Sequence, residues 1–155
     1  MPWTFTIVDS PAINAFELPG GYVYITRGIL AYLDDESELA GVLGHEIGHV
    51  TARHAAQAYT RQAEANFGLA MLGILVPATE PFTGVASGGA SVLFLRNGRE
   101  AEIEADRLGV EYGSGAGYDP SGVPRFLKTL ARVDALSDRG VPNWLSTHPA
   151  SDARV

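Results

Sequence analysis

The sequence predicts an α+β domain, mainly helical, with a small sheet packed beside one central helix. Three observations point there. Two short β-branched and aromatic runs, Thr4–Val8 and Tyr22–Thr26, open the chain. Helical apolar patterns begin near Asp35 and carry most of the remaining chain. The chain of 155 residues is 46% hydrophobic and 19% charged, which suits one domain, residues 1–155, with a real core.

In Thr4–Val8, Thr4, Thr6 and Val8 alternate with Phe5 and Ile7, and Asp9-Ser10-Pro11 ends the run. Asn14 to Gly21 reads as a turn-rich segment in which Pro19-Gly20-Gly21 supplies permissive backbone angles. Tyr22–Thr26 is the second strand, and Gly28–Leu33 a short apolar helix packed on the sheet. Asp35 followed by Glu38 resembles a capping box, so a long helix begins near Asp35 or Glu36. It is expected to reach about Asn66, with room for a break, and to bury Leu39, Val42, Leu43, Ile47 and Val50.

Gly41, Gly44 and Gly48 are odd inside such a helix, where each costs roughly 1 kcal/mol against Ala. Close packing against a neighbour and room beside a functional site both account for them. Phe67 to Phe94 is Gly/Ala-rich with Pro77 and Pro81. It reads as a broken helix, a loop around Thr83 to Gly89, and part of another helix. Arg99–Gly109 is helical, with Ala101, Ala105 and Leu108 on its apolar face. Asp119 caps a last helix whose first turn holds Pro120 and whose stripe is Val123, Phe126, Leu127, Leu130 and Val133.

The chemistry is concentrated in His45-Glu46-Ile47-Gly48-His49, the pattern H-E-x-x-H. Residues four apart on a helix lie about 40° apart around its axis, so His45 and His49 share a face. Two neutral imidazoles at that spacing can grip one Zn2+, and Glu46 beside them can reach a water on the metal as a general base. A catalytic zinc wants a third protein ligand and an open position. Glu102 is the choice, and Asp106, four residues on and on the same face, would orient a zinc-binding imidazole. A solvated acidic helix face is the competing account of Glu102 and Asp106, and the upstream motif argues against it. The longer zinc motif fails, because Ala52 and Ala55 stand where it needs Gly and His. On a continuous helix His54 lies about 140° from His49 and is not expected at the same metal.

Other classes are disfavoured. The net charge is −7 and the 11 basic residues form no run, which argues against a nucleic-acid partner. Without cysteine there are no disulfides or thiolate ligands, so zinc must use His and carboxylate. No secretory signal is visible, and the chain reads as a domain excised from a longer protein. Phe67 to Ala78 is shorter than the roughly 20 residues a membrane helix needs.

The residues resemble the HtpX and CAAX-prenyl-protease type of zinc metallopeptidase, a gluzincin family, over nearly the whole chain. Asn14-Ala15-Phe16 with Pro19-Gly20-Gly21 and Arg27-Gly28, the helix with Arg53-His54, and Arg99 to Gly109 carry the likeness. So do Gly117-Tyr118-Asp119-Pro120 and Ser146-Thr147-His148-Pro149 with Arg154. The resemblance implies a zincin-like metalloprotease fold and one zinc held by His45, His49 and Glu102. It implies that His148, with Arg154, stabilises the transition state, or that His148 binds the resting zinc and makes the enzyme latent. It further implies a peptide or unfolded-protein substrate, cell-envelope quality control and an outer-membrane-assembly or membrane partner. The compartment would be the bacterial periplasm, or a membrane reached through segments absent from this chain. Substrate is expected to add as a strand along Tyr22, Val23, Tyr24 and Ile25. A zinc-binding chaperone-like module and a non-peptidase zinc hydrolase are the alternatives; an intact Glu46 argues against the first.

Overall fold

The computed structural model describes residues 1–75 and 98–136 together with Trp144, Leu145 and His148. Strands β1 (Thr4–Val8), β2 (Ala15–Leu18) and β3 (Tyr22–Thr26) come first. Helices α1 (Arg27–Leu30), α2 (Glu36–Thr51), α3 (His54–Leu75), α4 (Arg99–Gly115) and α5 (Gly122–Leu136) complete the order. The mainly helical α+β class expected from the sequence is what is observed.

The sheet has the order β1-β3-β2, with β1 parallel and β2 antiparallel to β3. β2 corrects the expectation of a plain turn over Asn14–Gly21. Pro19-Gly20-Gly21 does form the reversal, with φ of 105° at Gly20 and 92° at Gly21, a backbone region that favours glycine. The reversal lays Ala15–Leu18 back along β3, pairing Glu17 with Val23 and Ala15 with Ile25. Ala15, Val23 and Ile25 are buried on the inner face, whereas Phe16 and Tyr24 stack on the outer face at 4.8 Å between centroids. The strand order brings a second correction. β3 is the central strand and both its edges are paired, so no substrate strand can add along Tyr22–Ile25. Among the described residues, the free edges belong to β1 and β2.

Asp35 caps α2 by accepting from Glu38 N at 2.9 Å, and Glu38 in return accepts from Asp34 N at 2.9 Å. α2 then stops at Thr51 and α3 resumes at His54, so the break left open in the helix to about Asn66 falls directly after the metal motif. Arg53 takes the left-handed φ of 59°, the one non-glycine among the described residues to do so. That conformation costs roughly 1–3 kcal/mol in a non-glycine residue, and it redirects the chain into α3. The part of Phe67 to Phe94 beyond Leu75, with the expected loop at Thr83 to Gly89, lies outside the described residues. α5 starts two residues later than expected, with Asp119 accepting from Ser121 N at 2.9 Å. Its stripe is buried at Val123, Phe126, Leu127 and Leu130, and packs with Ile25, Ile29 and Val42. No helix among the described residues is long and apolar enough to cross a membrane.

The most buried face of α2 is not the expected aliphatic stripe. Leu39, Leu43, Ile47 and Val50 are half-buried, while Gly41, Gly44, His45, Glu46, Gly48 and His49 are fully enclosed. Gly41 lies against Val123 of α5, and Gly44 and Gly48 form a glycine seam against α4. A Cβ on Gly44 would meet Gly109 O at 2.9 Å, and one on Gly48 would meet Ala105 O at 3.0 Å. A Cβ on Gly109 would meet His45 N at 2.8 Å. Main chain touches main chain along this seam, so the packing and site-spacing readings of Gly44 and Gly48 are the same fact. Gly109→Val is expected to cost about 2–3 kcal/mol, because the clash falls on backbone that cannot rotate away. A lowered urea midpoint at unchanged m-value would register it.

Candidate metal centre

Two helices and one short segment meet at the site. α2 contributes His45, Glu46 and His49, α4 contributes Glu102 and Asp106, and His148 lies beyond Trp144 and Leu145 near the C-terminus. His45, His49, Glu46, Glu102 and His148 are each 2% exposed or less. His45 Nε2 lies 3.0 Å from His49 Nε2 and 3.5 Å from Glu102 Oε2, and His49 Nε2 lies 3.4 Å from Glu102 Oε1. His148 Nδ1 lies 3.1 Å from Glu102 Oε1 and 3.2 Å from His45 Nε2. One ligand atom from each of His45, His49, Glu102 and His148 falls within 4.8 Å of all the others.

The outer nitrogens of the two helical histidines are engaged elsewhere. His45 Nδ1 is 2.8 Å from Asp106 Oδ1, and His49 Nδ1 is 2.8 Å from His54 Nδ1. With protons on those outer nitrogens, both Nε2 lone pairs point at one spot that already faces a carboxylate. A cation is what such a set of donors accommodates, and nitrogen and oxygen ligands without thiolate suit zinc.

Burial opposes charge on His45, yet the Asp106 and Glu102 carboxylates outweigh it and push its pKa up to about 9. Burial and then the positive charge on His45 hold His49 well below the usual histidine range. Burial disfavours the Glu102 carboxylate, but hydrogen bonds from His148 and His45 keep it ionised well below the usual range. Two identical side chains one helical turn apart are thus driven in opposite directions, and a shared dication would serve both as neutral ligands.

Glu46 is fully buried beside this group. Its Oε1 accepts a hydrogen bond from Trp144 Nε1 at 3.1 Å, whereas Oε2 has no hydrogen-bond partner among the described residues. Trp144 also stacks on His148, with centroids 4.8 Å apart and planes at 27°, and donates its backbone N–H to Ile13 O at 3.0 Å. Glu17 reaches the same region from the inner face of β2. Burial, and after it the Glu46 carboxylate, pushes its pKa up to about 8.

The structure therefore brings His45, Glu46, His49, Glu102, Asp106 and His148 together. Tyr22, Val23, Tyr24 and Ile25 sit inside the sheet, and Arg154 lies outside the described residues. Three contributors escaped sequence reasoning. Trp144 carries no local signal, since its contacts with Glu46 and Ile13 are tertiary. Glu17 was hidden by reading β2 as a turn. His54 is not in the group of ligand atoms, as expected, but its contact with the far nitrogen of His49 has no signal in the spacing.

Comparison with known proteins agrees with the site. The chain is 36% identical over 162 residues to the "Beta-barrel assembly-enhancing protease" of Yersinia pestis, covering 99% of this chain and 33% of that protein. The protein of the same name from Escherichia coli K12 is 35% identical with the same coverage. The "Mitochondrial metalloendopeptidase OMA1" of Arabidopsis thaliana is 36% identical over 154 residues, covering 98% of this chain and 30% of that one. The chain thus spans about a third of the length of these relatives. The family description "Peptidase family M48" matches residues 1–155 throughout, so the HtpX-type resemblance holds and the chain belongs to peptidase family M48.

Proposed function

We propose that this chain is the catalytic domain of a zinc metalloendopeptidase. The observation that carries the reading is the convergence of His45, His49 and Glu102 beside the fully buried Glu46 carboxylate. Bound there, zinc supplies Lewis acidity to a scissile carbonyl and acidifies a water. Glu46 Oε2 takes the proton of the attacking water and returns it to the leaving amine. Trp144 donates to Oε1, which fixes the orientation of the carboxylate. Asp106 keeps the proton of His45 on Nδ1 and so keeps Nε2 available as a ligand. A structural metal site would have no use for Glu46, and this disfavours the chaperone-like reading.

The peptide would run along the outer edge of β2, to which no strand pairs among the described residues. Backbone hydrogen bonds to Ala15–Leu18 would hold an extended chain with little regard to sequence, as suits an unfolded substrate. The names of the bacterial relatives favour a client linked to β-barrel assembly, and with it a periplasmic or membrane-associated setting.

His148 supports a latent resting state. Its ring nitrogen stands among the ligand atoms, and as a fourth ligand it would compete with the water that a catalytic zinc needs. In this reading the segment carrying His148 must move before a substrate is cleaved. His148→Ala is expected to raise cleavage of an unfolded protein several-fold while zinc content stays near one per chain. A fall in turnover at constant zinc would instead assign His148 to the transition state.

A further inference from the structure

His49 is held from outside by a residue that the reaction itself does not call upon. α2 ends at Thr51 and α3 begins at His54, with Arg53 in the left-handed region between them. That turn carries the His54 ring back against His49. The two rings meet edge to face, with centroids 4.9 Å apart and planes at 72°. Their Nδ1 atoms are 2.8 Å apart, and His54 is 2% exposed. On its far side His54 Nε2 lies 3.3 Å from Glu104 Oε2, on the same helix as Glu102 and Asp106.

We propose that His54 is the positioning residue for His49, part of a relay His49–His54–Glu104 that fixes which nitrogen of His49 faces the metal. The chemistry allows one neutral assignment. His49 Nε2 faces the ligand cluster, so it keeps its lone pair and the proton sits on Nδ1. That N–H can only donate, so His54 Nδ1 accepts. The proton of His54 then sits on Nε2 and is donated to the Glu104 carboxylate. His45 is oriented by a direct carboxylate, Asp106, and His49 by a carboxylate acting through an imidazole. Glu104 has half of its side chain exposed against 16% for Asp106, so its share is the smaller one.

The proposal rests on His49 being a zinc ligand, and the test separates the two. The dissociation constant of Zn2+ is measured by chelator competition on the purified protein and on His54→Leu, His54→Asn and His49→Ala variants. Leu removes the acceptor, whereas Asn keeps an oxygen near the place of Nδ1. Expected is a loss of about 10–100-fold for His54→Leu, the range for partners that orient a metal-binding imidazole. Asn should recover most of it, and His49→Ala should lose more than either. If Leu and Asn are equally impaired, His54 only fills space and the proposal is overturned. If both match the wild type while His49→Ala is weakened, the proposal fails alone. Should His49→Ala bind zinc as tightly as the wild type, the metal reading fails and takes the proposal with it. Where His54→Leu does not fold, the zinc-loaded wild type still decides. An exchange-protected His49 Nδ1–H proton close to the His54 ring supports the relay, and a proton exchanging freely with water overturns it.

Discussion

Glu46→Gln is expected to lower peptide hydrolysis by about 10²–10⁴-fold, the range assigned to a positioned general base, while the zinc content stays that of the wild type. The substitution keeps size and shape in a fully buried site. The amide oxygen can still accept from Trp144 Nε1, so the local packing has a means of surviving. What disappears is an oxygen that can take a proton and hold it through breakdown of the tetrahedral species. The loss should appear in kcat with little change in KM, because Glu46 acts on the water and not on the ground-state peptide. Hydrolysis of an unfolded protein, with metal content measured on the same samples, reads both quantities. Wild-type activity in the Gln variant would remove Glu46 from the reaction.

Glu102→Ala should have the complementary effect, removing the metal and the activity together. Of the carboxylates in the cluster, Glu102 is the one whose oxygens lie 3.4–3.5 Å from both helical Nε2 atoms, and it is fully buried. Its loss leaves two neutral imidazoles and His148 to hold a dication without an anionic ligand. Zinc affinity should fall by more than the roughly 100-fold that marks the upper range for an outer partner. Metal analysis after dialysis against a weak chelator distinguishes the variants: Glu46→Gln retains zinc, and Glu102→Ala does not. Retention of zinc by Glu102→Ala at wild-type affinity would require a different third ligand.

Much of this site is legible in the sequence because helices turn spacing into geometry. His45 and His49, and likewise Glu102 and Asp106, are four apart, and the structure places each pair on one face toward the other helix. The capping box at Asp35 and the stripe of α5 are equally local signals. What could not be read depends on where the backbone departs from local rules. Arg53 adopts a conformation that composition assigns to Gly or Asn, with no neighbouring Pro or Gly to announce it, so the place of the break after α2 and the contact of His54 with His49 have no local signal. Ala15–Leu18 is a strand because β3 lies alongside it, not because of its own composition. The inside of α2 is glycine and histidine because another backbone lies against it, a fact no hydrophobic period encodes. Trp144 joins Glu46 from far along the chain, and such pairing has no periodic trace.

The contact between Gly44 and Gly109 makes the helix pair a caliper. Its opening is one backbone thickness, set by atoms every residue shares and not by side chains that drift. The metal-binding halves of α2 and α4 are thereby gauged against each other. Substitution at Gly44, Gly48 or Gly109 is judged on bulk before polarity or charge. The most rigid dimension of the centre is thus guarded by residues that have no side chain at all.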